Sequence, residues 1–429
     1  MEKYGDVESD FRAVIVVHNK AAFRRMMLGE SVGMAEAYMR GEWDSPDLAR
    51  MVEVVAENVK ARAPVGPPFP WLIAQIEGFV RWVGANTPII SLNNVQKHYD
   101  IGNEMYKLML DDETMSYTCA LFRDPELQGF RQFPDDKTYR SISLGQAQLN
   151  KIHYVIKKAG ITSEDEVVEL GCGWGGFAIE AALTTGCKIR SYNLSIEQIK
   201  YARAKAKRLG VDHLVTFVHD DYRSATGPVD KVVSIGMFEH VGDAYFPTFF
   251  KFVESLLKPH GTAVIHTITS CDSEYPIYKK KGGFMQEYIF PGCCIPAVSA
   301  IISAMGTSRL ELQHFDNIGE HYALTLRGWR ENFYRNIKKV EALPGSTAWP
   351  RYNERFQRMW DFYLANCEAE FTTGHFGLAQ FIFRAPSKDY RGKAIDEFLP
   401  RLPSLYQAPG VLHPDYATGS SKTLGKKRR

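Results

Sequence analysis

Residues 169–176 read ELGCGWGG, and this glycine-rich stretch decides how the chain folds. It follows the short, mainly apolar run 166–170, which predicts a buried strand, and it precedes a run at 178–183 that predicts a helix. Glycine allows a tight turn and the close approach of a ligand, and the N-terminus of the next helix offers free backbone N–H groups. The stretch therefore predicts a nucleotide-like ligand at the carboxyl end of the first strand of an α/β sheet.

Strands and helices alternate after this stretch. A second helix is predicted at 196–209. Further strands are predicted at 188–194, 214–218, 230–235, 262–267, 310–315 and 379–383. Such alternation is typical of a parallel, doubly wound sheet.

The composition is that of a globular protein. Of the 429 residues, 45% are hydrophobic and 24% are charged, and the formal net charge of +2 does not indicate nucleic-acid binding. No apolar stretch is long enough to span a bilayer, and residues 1–10 are acidic without an apolar signal core, so we expect a cytoplasmic protein. The seven cysteines are odd in number and lack metal-ligand spacing, which predicts reduced thiols and no metal site.

Proline and charge divide the chain into three parts. Residues 61–70 carry prolines at 64, 67, 68 and 70, a density that excludes a helix interior and indicates a connector. We therefore predict a small N-terminal domain and connector over 1–70. A catalytic domain with a helical leader follows over 71–410, and a disordered basic tail over 411–429.

The spacing within the glycine-rich stretch favours one cofactor over another. The pattern is Gly-x-Gly-x-Gly-Gly, whereas dinucleotide enzymes carry Gly-x-Gly-x-x-Gly. The stretch also lies far inside the chain, behind a helical leader. Both features favour S-adenosylmethionine over NAD, with a ligand-free glycine turn as the open alternative.

Several further motifs stand in a characteristic order. They are HYDIGN at 98–103, YTCA at 117–120, SIGMFEHVG at 234–242, HTI at 266–268, YIFPG at 288–292, HYA at 321–323 and YLANC at 363–367. With the glycine-rich stretch, they make the chain similar to the cyclopropane-fatty-acyl-phospholipid synthase family, which includes the mycolic acid cyclopropane synthases. Residues 33–43 (GMAEAYMRGEW) resemble the N-terminal domain of the phospholipid-acting members.

This resemblance implies a fold and a reaction. The fold is a Rossmann-like class I S-adenosylmethionine methyltransferase with a mostly parallel seven-stranded sheet, preceded by a small N-terminal domain. The reaction is methylene transfer from S-adenosylmethionine to the cis double bond of an unsaturated phospholipid acyl chain, which forms a cyclopropane fatty acid. The partner is then an unsaturated phospholipid at a membrane surface, without nucleic acid, and a homodimer is left open.

The resemblance also implies site residues. A bicarbonate ion, the general base, is expected at Cys119, Glu239, His266, the backbone of Ile268, and Tyr322. Glu239 would accept the bicarbonate hydroxyl and pass its proton outward. Cys367 matches a cysteine proposed as catalytic, with core packing as its alternative role. Cofactor contacts are expected at Tyr99, Tyr117, Thr118, Gly171, Cys172, Gly173, Trp174, Gly175, Asn193, Leu194, Gln198, Asp221 and Tyr222.

The chemistry explains why such residues are needed. An alkene is a weak nucleophile that attacks a sulfonium methyl group only when it is held close and shielded from water. The product is a carbocation, which aromatic faces can stabilise. Candidates for this role are Tyr322, Tyr288, Trp174 and Phe238.

Two segments combine positive charge with apolar side chains, namely 19–27 (NKAAFRRMM) and 279–285 (KKKGGFM). Lysine and arginine are attracted to anionic lipid, so we predict that one of these segments contacts headgroups and that the protein associates peripherally with a membrane. A solvated basic loop is the alternative.

Two rival reactions stay open. The same carbocation could lead to a methyl-branched or methylene product, and alkaloid N-methyltransferases resemble this family as well. The set Cys119, Glu239, His266 and Tyr322 favours the lipid enzyme, because an amine methyltransferase needs no bicarbonate.

Overall fold

The computed structural model describes residues 10–60, 101–122, 141–279, 283–346 and 349–387. The predicted connector at 61–70, the cofactor contact Tyr99 and the predicted tail at 411–429 lie outside the described residues. So does most of the predicted helical leader.

A seven-stranded sheet forms the centre of the molecule, and a two-stranded hairpin lies near the N-terminus. The hairpin pairs β1 (Val16–Val17) with β2 (Trp43–Asp44). The sheet consists of β3 (Glu166–Leu170), β4 (Lys188–Asn193), β5 (Val215–His219), β6 (Val229–Ile235), β7 (Leu257–Ser270), β8 (Glu311–Asn317) and β9 (Phe376–Arg384). Its order is β5-β4-β3-β6-β7-β9-β8, and β9 runs antiparallel to both neighbours. The predicted mostly parallel seven-stranded sheet is confirmed.

Helices cover the sheet and form the N-terminal region. They are α1 (Ala21–Met39), α2 (Leu48–Lys60), α3 (Asn103–Met109), α4 (Leu144–Ala159), α5 (Gly176–Thr185), α6 (Ile196–Arg208), α7 (Phe246–Leu256), α8 (Tyr275–Tyr278), α9 (Val298–Met305), α10 (Glu320–Arg335), α11 (Ile337–Ala342) and α12 (Glu354–Thr372). Local sequence sets several ends. The Ser143 hydroxyl accepts the Gln146 N–H at 3.1 Å at the start of α4, and Gly160 ends that helix in a left-handed conformation.

Alternating side chains give the sheet two apolar faces. Val233 of β6 packs with Phe177 and Ile199 on one face, whereas its neighbour Val232 packs with Phe250 on the other. Helices cover both faces of the sheet. A ligand can therefore reach several strands together at their carboxyl ends, where ligands bind in this class of fold.

The N-terminal helices α1 and α2 pack on α12, near the other end of the chain. Arg358 of α12 donates to the Trp43 carbonyl oxygen at 2.9 Å and to the Asp44 carboxylate at 2.6 Å. The buried Asp361 accepts from the Tyr38 hydroxyl and from Arg330 Nε, each at 2.6 Å. These bonds fasten the N-terminal region to the catalytic part. The domain boundary at residue 70 stays a prediction.

Among the residues that the structure describes, no helix combines the length and the apolarity needed to cross a membrane.

A substitution of Trp43 tests the attachment of the N-terminal region to α12. Its side chain is fully buried, lies 5.0 Å from the Tyr38 ring between centroids, and donates from Nε1 to the Met34 carbonyl oxygen at 3.1 Å. We expect Trp43→Ala to lower the free energy of unfolding by about 3–5 kcal/mol, because it leaves a large cavity. Urea denaturation followed by circular dichroism measures the change. The matched control is Phe23→Ala, at a side chain that is 54% exposed, and an equally small effect of both substitutions would contradict the attachment.

Candidate active site

A cleft opens at the carboxyl ends of β3, β4 and β6, where the glycine-rich stretch leaves the sheet. Most of the predicted cofactor contacts line this cleft. They are Tyr117, Thr118, Gly171, Cys172, Gly173, Trp174, Asn193, Leu194, Gln198, Asp221 and Tyr222. Gly175 is not among the lining residues, because it caps α5 and faces Ala202 and Phe217 instead.

The glycine-rich stretch is held in place by backbone bonds. The N–H groups of Gly171 and Cys172 both donate to the Tyr192 carbonyl oxygen at 3.1 Å, which ties the turn to β4. Gly171 has a φ of 90°, and a Cβ atom there would lie 2.8 Å from Met237 Cβ. Only glycine fits this position without strain.

Asn193 at the end of β4 links the turn to α6. Its Nδ2 donates to the Gly173 carbonyl oxygen at 3.1 Å and to Gln198 Oε1 at 2.8 Å. On the other side of the cleft, Asp221 accepts from Arg223 Nε at 2.6 Å and from Arg223 Nη2 at 2.9 Å. The polar rim of the cleft is therefore already ordered by bonds within the protein.

Two buried ionisable groups in the cleft were missed by the sequence analysis. Lys151 of α4 donates from Nζ to Thr118 Oγ1 at 2.9 Å, and Glu169 of β3 accepts from Ser191 Oγ at 2.7 Å. Burial, which disfavours a charge, lowers the pKa of Lys151 to about 8 and raises the pKa of Glu169 to about 8. The position of Glu169 at the start of the glycine-rich stretch could have indicated that it lines the cleft. No local sequence pattern distinguishes Lys151 from a solvated lysine on a helix.

The second group of predicted site residues begins at Glu239, which lies on a short 3₁₀ turn (Phe238–His240) after β6. Glu239 Oε1 accepts the Ile268 N–H of β7 at 2.7 Å. Glu239 Oε2 is buried without a hydrogen-bond partner among the described residues. Burial raises the pKa of Glu239 to about 7, so this carboxyl group can hold or release a proton near neutral pH.

His266 lies two residues before Ile268 on the same strand. Its Nδ1 lies 3.1 Å from Gln380 Nε2, and its Nε2 is buried without a partner in the described part of the chain. Burial and the positive charge of Lys151 hold the pKa of His266 well below its usual value. A neutral imidazole and a carboxyl group with a partnerless oxygen therefore lie at the same end of the sheet, as expected of a site that a polar molecule completes.

The other predicted catalytic residues join one hydrophobic cluster, against which Ile268 also packs. Cys119 points its thiol at the Ala120 carbonyl oxygen, 3.2 Å away. Cys367 Sγ lies 3.8 Å from Met285 Sδ. Burial raises the pKa of both thiols, which therefore remain protonated. This favours packing over nucleophilic catalysis for Cys367.

Aromatic rings of this cluster reach the cofactor cleft. The Tyr322 ring lies 4.5 Å from the Phe371 ring between centroids. Tyr117, which lines the cleft, shares a 2.8 Å hydrogen bond between its hydroxyl and that of Tyr363. Tyr363 and Tyr322 belong to the same cluster. The hydrophobic cluster and the cofactor cleft therefore meet at an aromatic wall.

Three further aromatic candidates have different surroundings. Trp174 lines the cleft, and Tyr288 donates its hydroxyl to Glu36 Oε1 at 2.7 Å. Phe238 was expected near the reacting carbons, but its ring stacks on Phe246 at 4.5 Å between centroids, within the cluster on the opposite face of the sheet. The prediction for Phe238 was wrong, because its ring packs against the aromatic side chains of α7 instead of facing the site.

Comparison with known proteins gives consistent results. The family model described as mycolic acid cyclopropane synthetase matches residues 87–381. The tuberculostearic acid methyltransferase of Mycobacterium tuberculosis is 34% identical over 86% of this chain and 82% of its own length. The cyclopropane-fatty-acyl-phospholipid synthase of Escherichia coli K12 is 30% identical over 88% of each chain.

Solved structures share the fold. The mycolic acid cyclopropane synthase CmaA1 complexed with SAH and CTAB aligns with a TM-score of 0.59 at 24% identity, over 68% of this chain and 98% of its own. Coclaurine N-methyltransferase bound to N-methylheliamine and SAH aligns with a TM-score of 0.60 at 14% identity, over 82% and 99%.

The raised pKa of Glu239 predicts a pH-dependent stability. Between the ordinary pKa of 4.5 and the folded-state pKa of about 7, the unfolded chain ionises this carboxyl group while the folded chain keeps it protonated. The native state therefore loses stability as the pH rises through this window. Below it the penalty vanishes, and above it the penalty is constant.

Glu239→Gln removes this titration and keeps an oxygen for the Ile268 N–H. We expect wild type to lose up to about 3 kcal/mol relative to the variant between about pH 5 and about pH 8. Urea denaturation at both pH values measures the difference. The same pH dependence in both proteins would contradict the placement of Glu239.

Proposed function

This chain belongs to the mycolic acid cyclopropane synthetase family and is an S-adenosylmethionine-dependent methyltransferase, and from this premise we propose that it forms cyclopropane fatty acids. It would transfer a methylene unit from S-adenosylmethionine to the cis double bond of an unsaturated phospholipid acyl chain. The observation that carries the proposal is that Glu239 and His266, each with a buried atom that has no partner among the described residues, lie at the same end of the sheet as the cofactor cleft.

The cleft residues fit the cofactor. Gly173 leaves open space against the backbone for a ligand, while Asn193 and Gln198 offer polar atoms at the rim. When bound there, S-adenosylmethionine supplies an electrophilic methyl group. Tyr117 and Thr118 close the cleft toward the aromatic wall.

The aromatic wall has two tasks in this reaction. Its first task is to exclude water, which would capture a carbocation on the acyl chain. Tyr322 is only 8% exposed and packs against Phe371 and Trp329, so the wall is tight. Its second task is electrostatic, because each aromatic face near a cation contributes about 0.5–2 kcal/mol. Tyr322 is our main candidate for that role.

Glu239 and His266 handle the proton that ring closure releases. Glu239, with a pKa of about 7, can take up a proton at neutral pH, and neutral His266 can accept or donate a hydrogen bond through Nε2. The partnerless atoms of both residues fit a small polar ion such as bicarbonate, which would supply a general base when bound. The Ile268 N–H, which was also expected to bind this ion, already donates to Glu239.

A methyl-branched product is the second candidate. It is favoured by the 34% identity to a tuberculostearic acid methyltransferase, whose name describes methyl transfer and not ring formation. The same cation precedes both outcomes, but a saturated methyl branch also needs a hydride from a separate reductant, whereas loss of a different proton gives a methylene product without one. The names of the relatives that are 34% and 30% identical describe fatty acid and fatty acyl phospholipid chemistry, which favours a lipid over an amine substrate.

The proposed substrate lies in a bilayer, so the protein must associate with a membrane surface. The absence of a spanning helix among the described residues is compatible with peripheral association. A cytoplasmic location and a homodimeric state remain predictions.

Expression in a host rich in cis-unsaturated phospholipids tests the reaction. We expect fatty acids that are heavier by one CH₂ unit and that show upfield cyclopropane proton signals in NMR. A gain of CH₂ and two further hydrogens, without ring protons, would identify the methyl-branched product. Unaltered fatty acids, despite soluble protein that binds S-adenosylmethionine, would overturn the proposal.

Glu239→Gln tests the role of the carboxyl group. We expect turnover to fall by about 10²–10⁴-fold, the usual contribution of a general acid–base group, with unchanged affinity for S-adenosylmethionine in calorimetry. The matched control is Glu164→Gln, at an exposed carboxylate in the turn before β3. A fully active Glu239→Gln enzyme would remove Glu239 from the mechanism.

A further inference from the structure

We propose that one face of α1 docks on an anionic phospholipid bilayer and lies at the entrance for the acyl chain. This α1 face consists of the apolar Phe23, Met27 and Leu28 and the basic Lys20 and Arg24. The choice of a lipid partner rests on the proposed function, whereas the surface itself follows from exposure, charge and position.

The apolar part of the α1 face is unusually exposed. Met27 is 83% exposed, Leu28 76% and Phe23 54%. Of the thirteen exposed large hydrophobic side chains among the described residues, seven lie between residues 11 and 28. Such clustering marks an interaction surface, because exposed apolar side chains of a soluble protein are otherwise scattered.

The positive charge of this face favours an anionic membrane as its partner. Lys20 and Arg24 are exposed, and neither forms an ion pair with another described residue. The neighbouring Arg25 instead turns inward and pairs with Glu42 at 3.0 Å. Apolar side chains beside unpaired basic ones are typical of helices that lie in the headgroup region of anionic membranes.

The α1 face also continues toward the site. Ser31 follows Met27 by one helical turn, and a Cβ atom built on Gly283 would lie 4.0 Å from Ser31 Oγ. Five residues beyond Ser31 on α1, Glu36 accepts the Tyr288 hydroxyl at 2.7 Å. The segment 283–290 therefore lies directly against α1.

That segment forms part of the wall of the active site. Met285 Sδ lies 3.8 Å from Cys367 Sγ, and Phe290 lines the cofactor cleft. A chain that leaves a bilayer at Met27 would meet this segment first. The other basic segment, 279–285, is a weaker candidate, since Lys279 lies 3.6 Å from Asp243 and lysines 280 and 281 lie outside the described residues.

Flotation with vesicles tests the apolar contact. The full chain is mixed, without cofactor, with vesicles of phosphatidylglycerol or of phosphatidylcholine. We expect Met27→Asp/Leu28→Asp to weaken binding to phosphatidylglycerol vesicles by about tenfold or more, because two apolar contacts are lost. The matched control is Leu183→Asp/Leu209→Asp, at two side chains that are 46% and 43% exposed elsewhere, and it should bind like wild type.

A charge reversal tests the preference for anionic lipid. Lys20→Glu/Arg24→Glu should abolish the preference for phosphatidylglycerol over phosphatidylcholine, whereas Lys188→Glu/Lys207→Glu, at exposed residues near the sheet, should preserve it. Equal binding of all four variants would overturn the inference. So would a dimer in wild type that becomes a monomer in Met27→Asp/Leu28→Asp, because the face would then bind a second copy.

Methyl transfer separates this inference from the proposed function. Met27→Asp/Leu28→Asp should lose activity on vesicles and keep it on detergent-dispersed phospholipid. If wild type binds vesicles through this face but transfers no methyl group to any lipid, the docking surface stands and the proposed function fails. If the variant modifies vesicle lipids as wild type does, the docking surface fails and the proposed function stands.

Discussion

The hydrogen bond from the Ile268 N–H to Glu239 is the interaction on which the site depends. It fixes a buried carboxyl group at Ile268, a residue that packs against an apolar and aromatic cluster. A charged carboxylate is disfavoured there, so the pKa of Glu239 rises toward neutrality and the group becomes able to exchange a proton. The same burial keeps His266 neutral. A reaction that passes through a carbocation needs both properties, a dry wall and a nearby proton acceptor.

The fold supplies this arrangement through the sheet. The strand β7 carries His266 and Ile268, and it lies between β6, which leads to Glu239, and β9, which holds Gln380 against His266. The glycine-rich stretch leaves β3, which lies next to β6. The cofactor cleft and Glu239 therefore share one end of the sheet. The N-terminal helices complete the structure by packing on α12, which also carries Tyr363 and Cys367.

Local signals in the sequence were sufficient for the strands of the sheet, whereas most residues of the cofactor cleft were expected from the family resemblance. Each predicted strand was found, because buried strands are short apolar runs bounded by polar residues. Lys151 was missed, since a lysine on a helix is normally solvated and its burial depends on segments far apart in sequence. The attachment of Trp43 and Tyr38 to α12 is likewise a long-range contact without a local pattern. The misplaced Phe238 shows that a motif specifies position in the chain better than the direction of a side chain.

The structure of the protein with S-adenosylhomocysteine and a long-chain amphiphile would test the central claim most directly. We predict that the alkyl chain runs along Tyr322 and Phe371, with the cofactor sulfur facing it from the cleft and Glu239 within reach of the carbon between them. An alkyl chain bound elsewhere, or ordered water between the sulfur and Glu239, would contradict it.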